Sequence, residues 1–149
     1  MKFKVQPVKS EHIPEIVEVE KACFAEPWSA QSLTAELEKE NAALFAALDD
    51  NGAVIGWAGL THICGEGSIT NIAVQPHARR NGVGEALVRA LLAESVRLAL
   101  DWLMLEVRIS NAAAVSLYQK QGFNPIGIRP NFYDFPREDA VLMRHTLDH

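Results

Sequence analysis

Two side chains in the second half of the chain belong to types that move protons near neutral pH. Glu106 closes the apolar run Trp102-Leu103-Met104-Leu105, and Tyr118 follows Asn111 by seven residues. A carboxylate at the end of an apolar strand can accept a proton from a nucleophile, directly or through a bound water. An ion pair with Arg108 or Arg129 accounts for the same residue equally well. A phenol with a pKa of about 10 can protonate a leaving group without being ionised itself. Packing of the ring against a sheet is the commoner fate of a tyrosine, and both readings stand. Asn111 and Tyr118 lie two helical turns apart, so they project to the same side of a helix that carries both.

A third feature binds rather than reacts. The stretch Ile72-Ala73-Val74 reads as a strand, Arg79-Arg80-Asn81-Gly82-Val83-Gly84 as a basic glycine turn, and Leu87, Val88, Leu91 and Leu92 as one helix face. Glycines allow close approach of a ligand to the backbone, and a helix start leaves N–H groups without partners. Together with two arginines they favour an anion such as a pyrophosphate, against the plain alternative of a strand–helix connection. A P-loop needs Lys-Ser/Thr after its last glycine, where Glu85-Ala86 stands. A dinucleotide fingerprint needs a third small residue at Leu87. Glu106 lies near the spacing of that fold's ribose-binding acid, but only one strand–helix–strand unit is visible.

The elements that must position these residues follow in order. Phe3–Val8 alternates like a half-buried strand. Ser10 can cap a helix from Glu11 with Ile13, Ile16, Val17, Val19 and Phe24 on its apolar side, and Ser29 a second helix carrying Leu33 and Leu37 and ending near Asn41. Trp28 between them is a packing plug or a substrate wall. Ala43–Leu48 and Ala53–Ile63 flank Asp49-Asp50-Asn51-Gly52, a hairpin signal, and Gly65-Glu66-Gly67 turns the chain into a third strand, Ser68–Val74. After the long helix, the run 102–107 reads as a central strand parallel to its predecessor. A short helix, Ala112–Gln121, stops at Gly122. Phe123–Ile128 and Ala140–Leu147 close the chain as strands joined by a Pro130–Pro136 loop.

Composition narrows the class. The 149 residues suit one domain, 1–149, and 48% hydrophobic with 22% charged residues is ordinary for a globular protein. A net charge of −5 argues against direct nucleic-acid binding and suits a cationic substrate. No apolar stretch is long enough to span a bilayer, and no signal-type run follows Met1, so a cytoplasmic protein without a membrane partner is expected. Cys23 and Cys64 fit a reducing compartment, with a single disulfide as the alternative. The histidines are scattered and only His145/His149 share an i,i+4 spacing, so no metal is expected.

The pattern Arg79-x-x-Gly82-x-Gly84 after a strand resembles the acetyl-CoA-binding signature of the GNAT superfamily of N-acetyltransferases. Asn111-x-x-Ala114, Leu117-Tyr118 and Gly122-Phe123 resemble the second half of the same domain. More narrowly, Pro27-Trp28-Ser29, Leu105-Glu106-Val107-Arg108-x-Ser110-Asn111-Ala112-Ala113-Ala114 and the Arg129–Tyr133 loop are similar to the bacterial ribosomal-protein-alanine N-acetyltransferases. The resemblance implies an α/β fold with a mixed, mostly antiparallel twisted sheet, helices on both faces, and acetyl-CoA in the splay between the fourth and fifth strands. It implies Glu106 as general base and Tyr118 as general acid. It implies cofactor contacts from Ile72, Ala73, Val74, Arg79, Arg80, Asn81, Gly82, Val83, Gly84 and Asn111. Phe24, Trp28, Asn131 and Tyr133 would form the acceptor side, with Arg129 nearby. Phe132 stands where relatives often carry a second tyrosine, so a hydroxyl is missing there. The acceptor implied is a protein N-terminus, that of a ribosomal protein, met by a monomer or weak dimer. A small amine acceptor and a non-catalytic acyl-CoA-binding domain remain as alternatives.

Overall fold

A computed structural model of the protein describes residues 1–147. Seven strands form one sheet: β1 (Phe3–Pro7), β2 (Ala42–Asp49), β3 (Val54–Ile63), β4 (Glu66–Val74), β5 (Trp102–Arg108), β6 (Asn124–Asp134) and β7 (Arg137–Thr146). Their spatial order is β1-β2-β3-β4-β5-β7-β6. Only the β4–β5 pair is parallel; every other neighbour is antiparallel. Among the described residues four α-helices complete the fold: α1 (Ile13–Cys23), α2 (Ala30–Leu37), α3 (Val83–Arg97) and α4 (Ala112–Lys120).

Strand periodicity divides the core between the two faces. Ala46 and Trp57 point toward α1 and α2, joining Ile13, Ile16, Val19 and Leu33, while Ala47 and Ala58 point the other way. On that second face α3 buries Leu87, Val88 and Leu91 against Ile55, Leu60, Leu103 and Met143. Tyr118 of α4 and the fully buried Phe123 extend this cluster, with the two rings edge to face at 5.9 Å.

Local sequence explains most boundaries. The Ser29 hydroxyl accepts from the Ser32 N–H and caps α2 as expected, although the helix ends at Leu37, short of Asn41. The Asn111 side chain caps α4 by accepting from the Ala114 N–H. Gly122, at φ 93°, ends α4 in a left-handed turn. Three expectations need correction. Ser10 opens a 3-10 turn, Ser10–His12, rather than an α-helix; the Lys9 N–H donates to the His12 ring, and α1 begins at Ile13 with Pro14 in its first turn. Glu66 and Gly67 are strand, since the turn lies at Cys64 and Gly65, both at positive φ. Most of the Pro130–Pro136 segment is strand as well: β6 runs to Asp134 through a register shift between Arg129 and Tyr133, and the hairpin turns at Phe135–Pro136.

The feature that opens a ligand site is in β4. β4 pairs with β5 only at Glu66–Ser68, and beyond Ser68 the two strands have no register partners in common. Just past that point β4 carries a bulge on its β3 side: Gly59 faces Asn71 and Leu60 faces Ile69, leaving Thr70 unmatched. A bulge bends its strand, here away from β5. Gly59 is the residue that tolerates it, because a Cβ there would lie 2.7 Å from Thr70 Oγ1 and 3.1 Å from the Trp57 ring.

Gly59→Ala should therefore destabilise the protein by about 1–3 kcal/mol, the usual cost of overpacking a closed site. Adding Thr70→Ala, which removes a buried hydroxyl that has no hydrogen-bond partner, should recover part of the loss. Urea denaturation of the two variants checks this; equal stability of Gly59→Ala and the parent would refute the packing account.

Candidate active site

The glycine turn forms an N–H cradle at the start of α3. Gly82 sits at φ 81° as the N-cap, and no side chain caps the helix. The first-turn amides of α3 thus face outward, with the positive end of the helix dipole behind them. A Cβ on Gly82 would meet nothing within 4 Å, so the space above the turn is open to a ligand. The basic residues behave differently from one another. Arg79 folds back: its Nε donates to the Val74 carbonyl at 3.2 Å, and its Nη2 lies 3.5 Å from Cys23 Sγ. Arg80, at φ 64°, is exposed. The Asn81 amide holds the loop shut by donating to the carbonyls of Ala78 and Arg79. Ile72, Ala73 and Val74 pair with β3 on one edge and have no β5 partner on the other. That edge suits the backbone-to-backbone bonding that a pantetheine arm would use.

The splay continues into a cleft of about 480 Å³ lined by Ile72, Glu106, Asn111, Tyr118, Trp28 and Tyr133, among others. Glu106 is on β5 with its side chain 27% exposed, and the Arg129 guanidinium Nε stands 3.6 Å from its carboxylate. Of the two arginines that could have paired it, Arg108 is engaged elsewhere. Its guanidinium donates to the carbonyls of Phe135 and Pro136, pairs with Glu138 at 3.1 Å, and covers the Tyr133 ring at 4.2 Å. Burial pushes the Tyr118 phenol up to about 12, with the Tyr133 phenol adding to the shift. Burial, then the Glu106 carboxylate, also raises Tyr133, against the pull of Arg108.

The α1–α2 loop and the end of β6 wall the far end. Phe24 and Trp28, between α1 and α2, line one side; Phe132 and Tyr133 line the other. Trp28 packs edge to face on Trp57 at 6.1 Å. Asn131 is not among the lining residues; it is exposed at φ 53°, and its N–H donates to Asp139. Asn111 lines the cleft while its carbonyl oxygen caps α4, which leaves its amide nitrogen for a ligand.

Glu20 is a residue that sequence patterning passed over. It is fully buried, and its carboxylate accepts from the Trp28 N–H, the Trp57 indole N–H and the Asn71 amide, each at 2.9 Å. Burial raises its pKa, against the pull of those three hydrogen bonds. A signal was present: Glu20 stands at i+4 from Ile16 and i+7 from Ile13, on the stripe that α1 buries. Among the described residues no group of three His, Cys, Asp or Glu side chains could hold a metal ion. His145 approaches the Gln121 carbonyl at 3.1 Å, and His149 lies outside the described residues. Cys23 and Cys64 are free thiols. No helix among the described residues is long and apolar enough to cross a membrane.

Residues 13–123 match the acetyltransferase (GNAT) family, and the chain belongs to it. The protein is thus an acetyl-CoA-dependent N-acetyltransferase. The [ribosomal protein bS18]-alanine N-acetyltransferase of Escherichia coli (strain K12) is 34% identical over 141 residues, 93% of this chain and 94% of that protein. A Bacillus subtilis (strain 168) protein provisionally named for the same reaction is 34% identical over 147 residues, 99% of this chain and 97% of its own. The crystal structure of the ribosomal-protein-S18-alanine N-acetyltransferase from Escherichia coli superposes with a TM-score of 0.90 at 31% identity, covering 99% of this chain and 96% of the other.

Gly82→Val should retain the fold but weaken acetyl-CoA binding by about tenfold or more, because a β-branched residue resists φ 81° and crowds the cradle. Calorimetric titration with acetyl-CoA measures this. Unchanged affinity in a folded variant would remove the anion-site assignment.

Proposed function

We propose that the protein acetylates the N-terminal α-amine of a protein in the cytoplasm, the alanine end of a small-subunit ribosomal protein. The observation that carries this reading is the shared cleft: Glu106 and Tyr118 line it together, between the Trp28 and Tyr133 walls. The 34% identical Escherichia coli relative, named for bS18 alanine, supports the choice of acceptor.

Acetyl-CoA supplies the activated acetyl group as a thioester. The Ile72–Val74 edge and the Arg79–Gly84 turn hold it, one through strand-like hydrogen bonds and the other through helix-start amides. Glu106 removes the proton from the attacking amine through a water, with the Arg129 guanidinium 3.6 Å from its carboxylate orienting it. Tyr118 donates to the departing sulfur. With its pKa pushed up to about 12 the phenol stays protonated throughout the working pH range. The same desolvated cleft raises the proton affinity of a thiolate, so donor and acceptor shift together.

Proton chemistry also favours an α-amine. Its pKa of about 7.7–8.0 leaves roughly a tenth of it neutral at pH 7, against well under a thousandth of a lysine at about 10.4. A carboxylate base starts with that advantage. The net charge of −5 adds attraction for a basic peptide.

A peptide beginning with free alanine and rich in arginine should be acetylated on its α-amine, and its N-terminally blocked, lysine-containing counterpart should react poorly. Mass spectrometry of peptides incubated with acetyl-CoA reads the outcome; equal rates on the blocked peptide, or turnover confined to small amines, would overturn the assignment. Tyr118→Phe should lower kcat by roughly 10²–10⁴-fold with little change in acetyl-CoA affinity. Because the phenol is raised to about 12, the parent enzyme should show no alkaline loss of kcat from Tyr118 below about pH 10. An alkaline limb below that pH that vanishes in Tyr118→Phe would contradict the burial account.

A further inference from the structure

We propose that Glu20 is a positioning residue for the acceptor: from inside the fold it fixes both the Trp28 wall of the cleft and Asn71 at the bend of β4. This rests on reading the Trp28 end of the cleft as the acceptor end.

The geometry is specific. The carboxylate splits its two oxygens: Oε1 accepts from the Trp28 backbone N–H, and Oε2 from the Trp57 indole and the Asn71 amide, all at 2.9 Å. The donors are separated from Glu20 by 8, 37 and 51 residues, so a single side chain ties the α1–α2 loop to β3 and β4. Two of the contacts that place Trp28 pass through Glu20: its backbone N–H donates to the carboxylate, and its ring packs on the Trp57 ring that Glu20 holds. The Asn71 amide is likewise oriented. With its nitrogen committed to Glu20, its oxygen faces and accepts from the Ile72 N–H, the first amide of the free β4 edge. An ionised carboxylate is acceptor-only and matches three N–H donors; a carboxamide of the same shape presents a donor to at least one of them. Leaving a buried donor without its acceptor costs more than the bond itself is worth.

The test compares Glu20→Gln with Glu20→Gln/Asn71→Asp. In the double variant the new carboxylate at position 71 can accept from the glutamine and from the Ile72 N–H. Measured are acetyl-CoA affinity by calorimetry, kcat and KM on the alanine peptide, and amide exchange over residues 24–29 by mass spectrometry. Glu20→Gln should weaken acetyl-CoA binding by no more than about threefold, through the Ile72 amide that Asn71 engages, while kcat/KM for the peptide falls much further, about 10- to 100-fold, mostly through KM, with faster exchange over 24–29. The double variant should recover part of the kcat/KM. Wild-type kcat/KM and exchange in folded Glu20→Gln would overturn the proposal. So would a loss of acetyl-CoA affinity as large as the loss of peptide turnover, the pattern of a merely structural residue. If Glu20→Gln does not fold, Glu20→Asp, which withdraws the carboxylate by one methylene, carries the same comparison. If the parent acetylates no peptide, the acceptor reading fails on its own, and exchange over 24–29 decides the case of Glu20: unchanged exchange refutes it.

Discussion

The site depends on two strands failing to stay paired. β4 and β5 run in parallel for three residues on each strand and then part. The bulge at Thr70 is the local cause, and Gly59 makes room for it. A paired sheet has no spare backbone groups to offer a ligand. Parting the strands releases one edge of β4 beside the C-terminal end of β5, where Glu106 is already half-buried by the sheet. The α3 helix, which must cross from β4 to β5, begins at the mouth of the same gap. Strand splay, unpaired edge and helix start therefore arise from one departure in hydrogen bonding.

Charged side chains then fix the two walls of the cleft. Arg108 reaches from the end of β5 to the Phe135 and Pro136 carbonyls and to Glu138, and lies over Tyr133. Glu20 does the corresponding work for the opposite loop. Both are hubs with several partners far away in sequence. Arg108 is partly open to water, so its ion pair contributes modestly. Glu20 is fully enclosed, and its three bonds must all be made for the carboxylate to be tolerable there. That difference makes the α1–α2 wall the more tightly specified of the two.

Much of the arrangement was legible in the sequence. Period-2 and period-3.6 patterns placed the strands and helices, since burial of one face imposes them directly. The glycine turn before the long helix, the helix stop at Gly122 and the placement of Asn111 and Tyr118 on one side across two helical turns are local geometry, so spacing alone reveals them. Glu106 was visible as a carboxylate ending an apolar strand, but its partner was open between Arg108 and Arg129. The structure pairs Arg129 with it because Arg108 is drawn to the β6–β7 turn. Only register across three strands could decide that.

The misread parts share one cause. The Pro130–Pro136 segment looked like a loop because prolines and polar residues mark turns locally, yet pairing with β7 holds most of it in an edge strand with a register shift. Glu20 drew no notice in the sequence, because Trp57 and Asn71 reach it from 37 and 51 residues away. Propensity, periodicity and turn chemistry act over a few residues, and the sequence determined by itself everything that depends on them. The splay of β4 from β5, the choice of ion-pair partners and the burial of a carboxylate among three donors depend on which segments meet. Those were decided only in the folded chain, because a hydrogen bond or an ion pair exists only when both of its ends are in place.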